Sequence, residues 1–190
     1  MVKAVVQGLA FLTLLSDIFI LQLAVSFILE KLRLFKFFGR QKKFFGPRAW
    51  SLIFTVSAVA TLGSLFFSEV GKFVPCLLCW YQRIFMYPQP IMIYLAIMRD
   101  EYVIRPYLYT LNVIGGLIAL YHVFIQRFPA LSIAPCDATG VSCTKVHNYY
   151  WGYITIPMMA LTAFVLNMIL LSLWKSKVQS SNVKSNPKSK

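Results

Sequence analysis

Pro75-Cys76-Leu77-Leu78-Cys79-Trp80-Tyr81-Gln82-Arg83 stands where a short polar loop re-enters a long apolar run. That run, Trp80 to Met98, carries Arg83 as its one charged residue, and as a helix it is long enough to cross a hydrocarbon core of about 30 Å. Four further apolar runs share this length: Val5 to Ile28, Trp50 to Phe67, Tyr107 to Ile125 and Tyr153 to Trp174. Lipid offers the backbone no hydrogen-bond partner, so a spanning segment is a helix unless it belongs to a closed barrel. Barrel strands alternate apolar and polar residues, and these runs do not. The sequence therefore predicts an all-α integral membrane protein, a helical bundle.

Composition agrees. The chain has 190 residues, 58% of them hydrophobic and 13% charged, with a mean hydropathy of +0.67. A soluble domain of this size could not bury so much apolar surface. The net charge of +13 would suggest nucleic acid in a soluble protein, but the basic residues lie in blocks between apolar runs, as on cytoplasmic membrane flanks. Lys31, Arg33, Lys36, Arg40, Lys42, Lys43 and Arg48 separate the first two runs; Arg99 and Arg105 follow the third; Lys175, Lys177, Lys184, Lys188 and Lys190 lie in the tail. The opposite loops hold Lys72, Arg127 and Lys145. The positive-inside rule puts the connections 31–49 and 99–106 and the carboxyl terminus in the cytoplasm of a plasma-membrane protein. Both cysteine-bearing loops then face the extracytoplasmic side, where disulfides persist.

Three segments follow from this pattern. Residues 1–47 form an extra amino-terminal hydrophobic helix and a basic cytoplasmic linker, 48–175 the main membrane domain, and 176–190 a Lys-, Ser- and Asn-rich tail expected to be disordered. The first run is interrupted by Gln7, Ser16, Asp17 and Gln22. It reads as a further spanning helix, with a helix lying obliquely in the membrane as the alternative. Trp80, Tyr81, Tyr149, Tyr150, Trp151 and Tyr153 fit an interfacial aromatic belt at the outer ends.

The reactive residues lie in those outer loops. Cys76 and Cys79 have the C-x-x-C spacing, which closes a strained disulfide or supplies half a metal site. A helix starting near Pro75 would favour a thiolate there, and Arg83, four residues after Cys79, would share its face about one turn deeper. A cation at that depth either serves the thiol site or snorkels to the headgroups. Cys136 and Cys143 enclose Asp137, Thr139, Gly140 and Ser142, a turn-forming set. Alone they would staple a loop; two pairs on one face can instead pass two electrons by thiol–disulfide exchange. No Rossmann glycine pattern or C-x-x-C-H haem attachment offers another acceptor, which leaves a lipid-soluble quinone by elimination. His122 lies at a depth similar to Arg83 and either hydrogen-bonds a quinone carbonyl or packs at the interface; His147 has only its nearness to Cys143.

Cys76-Leu-Leu-Cys79-Trp-Tyr-Gln-Arg83, with Met86-Tyr87-Pro88 after it, resembles the first catalytic loop of the disulfide bond formation protein B (DsbB) family. Gly63-Ser-Leu-Phe-Phe-Ser-Glu-Val, the compact Cys136/Cys143 loop and Tyr153-Ile-Thr-Ile-Pro157 resemble its BdbC-type branch. The resemblance covers roughly residues 48 to 175 and implies a four-helix transmembrane bundle, here with the additional amino-terminal helix. It also implies a quinone-dependent thiol oxidase, with menaquinone favoured and no metal, that re-oxidises an extracytoplasmic thioredoxin-fold thiol oxidase. The implied catalytic residues are Cys76, Cys79, Cys136 and Cys143: Cys136 would meet the partner's thiolate, Cys143 would exchange with Cys76, and Cys79 would face the quinone beside Arg83. The second pair is closer in sequence here than in the better-known branch of the family.

Two other readings compete. A vitamin K epoxide reductase-like enzyme also combines quinones with two cysteine pairs, but in the opposite order along the chain. A non-enzymatic bundle with structural disulfides or a metal site would draw on the same cysteines and histidines.

Overall fold

Helices α1 (Val2–Lys31) and α3 (Ala49–Glu69) account for the first two apolar runs, and α6 (Arg105–Arg127) and α7 (Ile156–Leu173) for the last two. The structure, a computed structural model, describes residues 2–32, 38–131, 141–144 and 152–174. A short helix, α2 (Phe38–Phe45), and a 3-10 turn (Gly46–Arg48) join α1 to α3; sequence reading treated this stretch as linker. Phe45 of α2 packs edge-on against Phe19 of α1, with ring centroids 5.1 Å apart, so the basic segment is anchored by its aromatic residues. Among the described residues, four helices, α1 among them, are long and apolar enough to cross a membrane.

The third run is built in two pieces, α4 (Leu77–Met86) and α5 (Pro88–Arg99). Between them Tyr87 keeps helical angles (φ −63°, ψ −36°) and donates its N–H to Arg83 O at 2.9 Å, so the axis continues. The break arises because Pro88 and Pro90 have no N–H to return to the preceding turn. Together the pieces rise about 34 Å, enough to span. Helix α5 ends in a Schellman arrangement: Asp100 is left-handed (φ 53°), and Glu101 N–H reaches Ala96 O at 3.1 Å.

Helix α7 packs against α1, α3 and α6. The α6–α7 contact depends on Gly115, where an added Cβ would run into the ring of Phe164. Small residues let membrane helices approach closely, which is what drives association where lipid removes the hydrophobic difference. Polar groups bind the same helices from within. Asn112 Nδ2 of α6 and Asn167 Nδ2 of α7 both donate to Gln89 Oε1 of α5, at 2.9 and 3.3 Å, and Asn167 Nδ2 also reaches Ser57 Oγ of α3 at 2.9 Å. All four residues are fully buried. Large apolar side chains point outward instead, Leu62, Ile91 and Met98 among them, as lipid-facing positions do.

The two ends of the bundle differ. At the end carrying the basic connections, Trp50, Tyr102 and Trp174 pack ring against ring, and Arg105 donates to Leu171 O at 3.1 Å. At the other end Cys76, Leu78, Ile125 and Cys143 form a separate buried cluster. The multi-pass membrane architecture read from the sequence is the one the chain adopts.

Candidate active site

The amino end of α4 organises the site. Pro75 leads into Cys76, which is extended (φ −75°, ψ 172°) and caps the helix, its C=O accepting Trp80 N–H at 3.1 Å. Cys79 therefore occupies the third helical position, where a capping-box side chain turns back on the cap residue. Its sulfur does so: Cys76 donates its thiol to Cys79 Sγ at 3.4 Å, and the Cys76 backbone N–H also points to it. Cys76 is thus the donor of the pair and Cys79 the acceptor. Donation to Cys79, then burial, pushes the Cys76 thiol well above its ordinary value.

Cys143 comes from the distant loop and lies buried on the same helix end. Its sulfur takes hydrogen bonds from the backbone N–H groups of Leu78 and Leu77, donors that the first turn of a helix leaves without internal partners. Burial, opposed by these amides, pushes the Cys143 thiol up to about 11. Its interaction with the Cys76 side chain brings sulfurs from both loops together. Cys136 lies outside the described residues, as does His147.

His122 of α6, 1% exposed, joins these parts. Its Nδ1 is 3.0 Å from Gln82 Nε2 of α4, and its Nε2 is 3.1 Å from Cys143 O and 3.7 Å from Cys76 Sγ. A Gln82 amide donating to Nδ1 sets the ring proton on Nε2, which then donates to the Cys143 carbonyl and points toward the Cys76 sulfur. Gln82 escaped sequence reading; its polarity inside the quoted apolar stretch, three residues after Cys79, was the available signal. The Cys76, Cys79 and His122 ligand atoms all lie within 4.8 Å of one another, close enough to hold a thiophilic metal ion.

Arg83 continues the Cys79 face of α4. Its guanidinium stacks over Trp80, 5.1 Å from the ring centroid, and Nη2 donates to Ser64 O of α3 at 3.2 Å. Beside it Tyr87 OH donates to Ser64 Oγ at 3.2 Å. Cys76, Cys79, Arg83 and His122 all line one cavity of about 310 Å³, whose other walls are mainly aliphatic residues of α1, α3 and α7. The volume is at the low end of small-ligand pockets, and polar groups at one end with apolar walls elsewhere suit a flat ring with an apolar tail. The residues present therefore fit a quinone.

The family model described as "Disulfide bond formation protein DsbB" matches residues 46–174. The chain belongs to the DsbB family. Family members of known name resemble it over the same core. "Probable disulfide formation protein C 1" of Bacillus anthracis is 43% identical over 127 residues, 67% of this chain and 90% of that protein. "Disulfide bond formation protein C" of Bacillus subtilis (strain 168) is 42% identical over 123 residues, 64% and 88% of the two chains. The "SPbeta prophage-derived disulfide bond formation protein B" of the same strain is 41% identical over 115 residues, 60% and 77%. No solved structure matches the chain. Membership identifies a multi-pass membrane protein of disulfide bond formation, with the thiol oxidoreductase role that defines the DsbB family. Helix α1 and α2 precede the matched region.

Proposed function

We propose that this chain is a quinone-dependent thiol oxidase that re-oxidises an extracytoplasmic thioredoxin-fold dithiol oxidase, with Cys136/Cys143 as the outer and Cys76/Cys79 as the inner cysteine pair. The observation that carries the proposal is the meeting of Cys143, Cys76 and Cys79 at the amino end of α4, on the wall of a cavity that also contains Arg83. The fourteen basic residues that the sequence places in the connections 31–49 and 99–106 and in the tail support, by the positive-inside rule, cysteine loops outside the plasma membrane and a cytoplasmic carboxyl terminus.

The steps balance as successive exchanges. A partner thiolate attacks Cys136 of the Cys136–Cys143 disulfide, forming a mixed disulfide and releasing Cys143 as a thiolate. The partner's second thiol resolves the mixed disulfide, so the partner leaves oxidised and both outer cysteines are reduced. Cys143 attacks as the thiolate, the form that hydrogen bonds from the Leu77 and Leu78 amides favour against its burial. It attacks Cys76 of the Cys76–Cys79 disulfide, releasing Cys79 as the thiolate. Cys136 then attacks Cys143, restoring the outer disulfide and freeing Cys76. The net transfer is two electrons and two protons from the partner to the inner pair.

His122 Nε2–H, directed at Cys76 Sγ, suits stabilisation of that departing sulfur, and its position on the cavity wall keeps a quinone carbonyl as a second partner. Arg83 offers a fixed positive charge and hydrogen-bond donors to a ring carbonyl. A bound quinone, menaquinone by the BdbC resemblance, supplies a two-electron, two-proton acceptor.

Purified protein in lipid, given reduced thioredoxin-fold partner and a quinone, is expected to oxidise the partner with equimolar quinone reduction. Serine at Cys76, Cys79, Cys136 or Cys143 is expected to stop turnover; full activity with both Cys76 and Cys79 replaced refutes the proposal. A second reading, a metal-holding bundle, draws on the clustering of Cys76, Cys79 and His122. Stoichiometric zinc retained by the reduced protein, with no quinone-dependent turnover, would establish it instead.

A further inference from the structure

Helix α1 lies before the family-matched region, yet it forms part of the cavity that contains Cys79 and Arg83. Val6, Leu9, Leu12, Thr13 and Ser16 line that cavity, and at the helical period all five fall within about a third of the circumference, so one face of α1 is turned to it, three of its five residues aliphatic. Phe11, Leu15 and Ile18 are about half exposed and lie on the other side of the helix. From Val6 to Ser16 the stripe runs about 15 Å along the helix. It is an elongated, mostly apolar surface leading away from the polar end.

Two contacts fix where α1 sits. Against α3 it packs at Gly63, where an added Cβ would come 3.0 Å from Leu9 Cδ1. Toward α7 it presents Asp17, a carboxylate inside an apolar helix, where an ionisable group is expensive unless partnered. Both oxygens have partners: Thr162 Oγ1 donates to Oδ1 at 2.7 Å, and Tyr153 OH donates to Oδ2 at 3.0 Å. The helix thus bridges α3 and α7, with the cavity behind it. Neither the thiol exchanges nor the contacts of Arg83 account for a buttressed carboxylate at this place.

We propose that α1 is the lipid-side wall of the quinone site and the surface that holds the quinone's isoprenoid tail, with Asp17 as the positioning residue that latches the wall to Tyr153 and Thr162. The inference rests on the quinone reading above and deepens it: ring chemistry belongs to α4 and α6, tail selection to a helix outside the family core. A lipid-soluble quinone needs both a polar terminus for the ring and an apolar path for the tail, and the α1 stripe supplies the second.

The test compares menadione with a menaquinone of the same ring carrying an isoprenoid tail, using full-length protein in lipid nanodiscs and a reduced thioredoxin-fold partner. Asp17→Leu removes both hydrogen bonds of the latch. It is expected to raise KM for the tailed quinone about tenfold, while kcat and the menadione KM stay within about twofold. Asp17→Asn keeps the shape and can still pair with both hydroxyls, and is expected to restore the tailed-quinone KM. Independently of turnover, a menaquinone with a photoreactive group on its tail is expected to label the peptide containing residues 2–31 of the unaltered protein. Equal KM changes for the two quinones, no change for either, or labelling confined to α3 and α7 overturns the assignment of α1 and leaves the oxidase reading standing. No turnover by the unaltered protein with either quinone overturns both.

Discussion

Arg83→Met removes the one charged side chain of the α4–α5 segment on the wall of the cavity. In the native site the guanidinium is held on two sides, over the Trp80 ring and by Ser64 O, so its remaining donors can be directed without further loss of side-chain freedom. A hydrogen bond from a charged donor is worth about 1.5–3 kcal/mol, which corresponds to a factor of about 10 to 150 in binding. Because Arg83 is only partly buried, the lower part of that range applies, and the expected rise in quinone KM is about 10- to 30-fold. Arg83→Lys keeps the charge but not the planar stack on Trp80, and is expected to fall between methionine and the native side chain. The assay is quinone reduction followed spectroscopically against quinone concentration, with the partner saturating. A parallel single-turnover measurement of exchange between the two cysteine pairs, with products trapped by alkylation, is expected to be unaffected. An unchanged KM in Arg83→Met would show that the arginine serves only the Trp80 and Ser64 contacts, and would refute its assignment to the quinone.

Three other outcomes follow from the same geometry. Replacing His122 by Phe leaves the Cys143 carbonyl and the Gln82 amide without their partner, and is expected to slow exchange between the cysteine pairs about tenfold in single-turnover trapping; an unchanged exchange rate with a raised quinone KM would assign His122 to the quinone carbonyl instead. In the reduced protein, alkylation of Cys143 is expected to titrate with a midpoint near pH 11 rather than at the ordinary thiol value of 9.0, because burial favours the neutral form. Its raised value means that the folded state retains this proton more tightly than the unfolded state, a contribution to stability fully present below pH 9.0 and lost as pH rises through about 11. A midpoint at the ordinary value would show that Cys143 is not buried against α4 in solution. Gly115→Ala sets a methyl group into the Phe164 ring and is expected to destabilise the bundle by about 1–3 kcal/mol in denaturant titration, with Phe164→Leu restoring part of the loss; full stability of the single variant would mean that α6 and α7 are not in close contact there.

Much of the site's local order was readable because a helix has a fixed period. Cys76 and Cys79 sit at the cap and the third position of α4, and Arg83 continues the Cys79 face, as a C-x-x-C followed four residues later by arginine requires once a helix starts at that loop. The membrane class was equally plain, since the apolar runs are too long and too continuous for a domain of this size to bury. Even the two-piece third helix had its signal in Pro88 and Pro90, although a count of apolar residues passes over it.

Which residues meet across the bundle was decided by tertiary structure. Helices that are apolar all round carry no stripe to say which face turns inward. The joining of Ser57, Gln89, Asn112 and Asn167 therefore emerges only once α3, α5, α6 and α7 are packed, when those polar groups have no solvent and must find one another. Cys143 is 64 residues from Cys79 in sequence, and its docking depends on the unpartnered amides of Leu77 and Leu78 and on the carbonyl contact with His122. The stretch from Pro75 to Arg83 determined by itself that two thiols and a cation would share one end of a membrane helix. That the second loop's sulfur, His122 and a wall from α1 meet there was set by packing, because long-range contacts depend on the fit of whole helices and local spacing does not encode it.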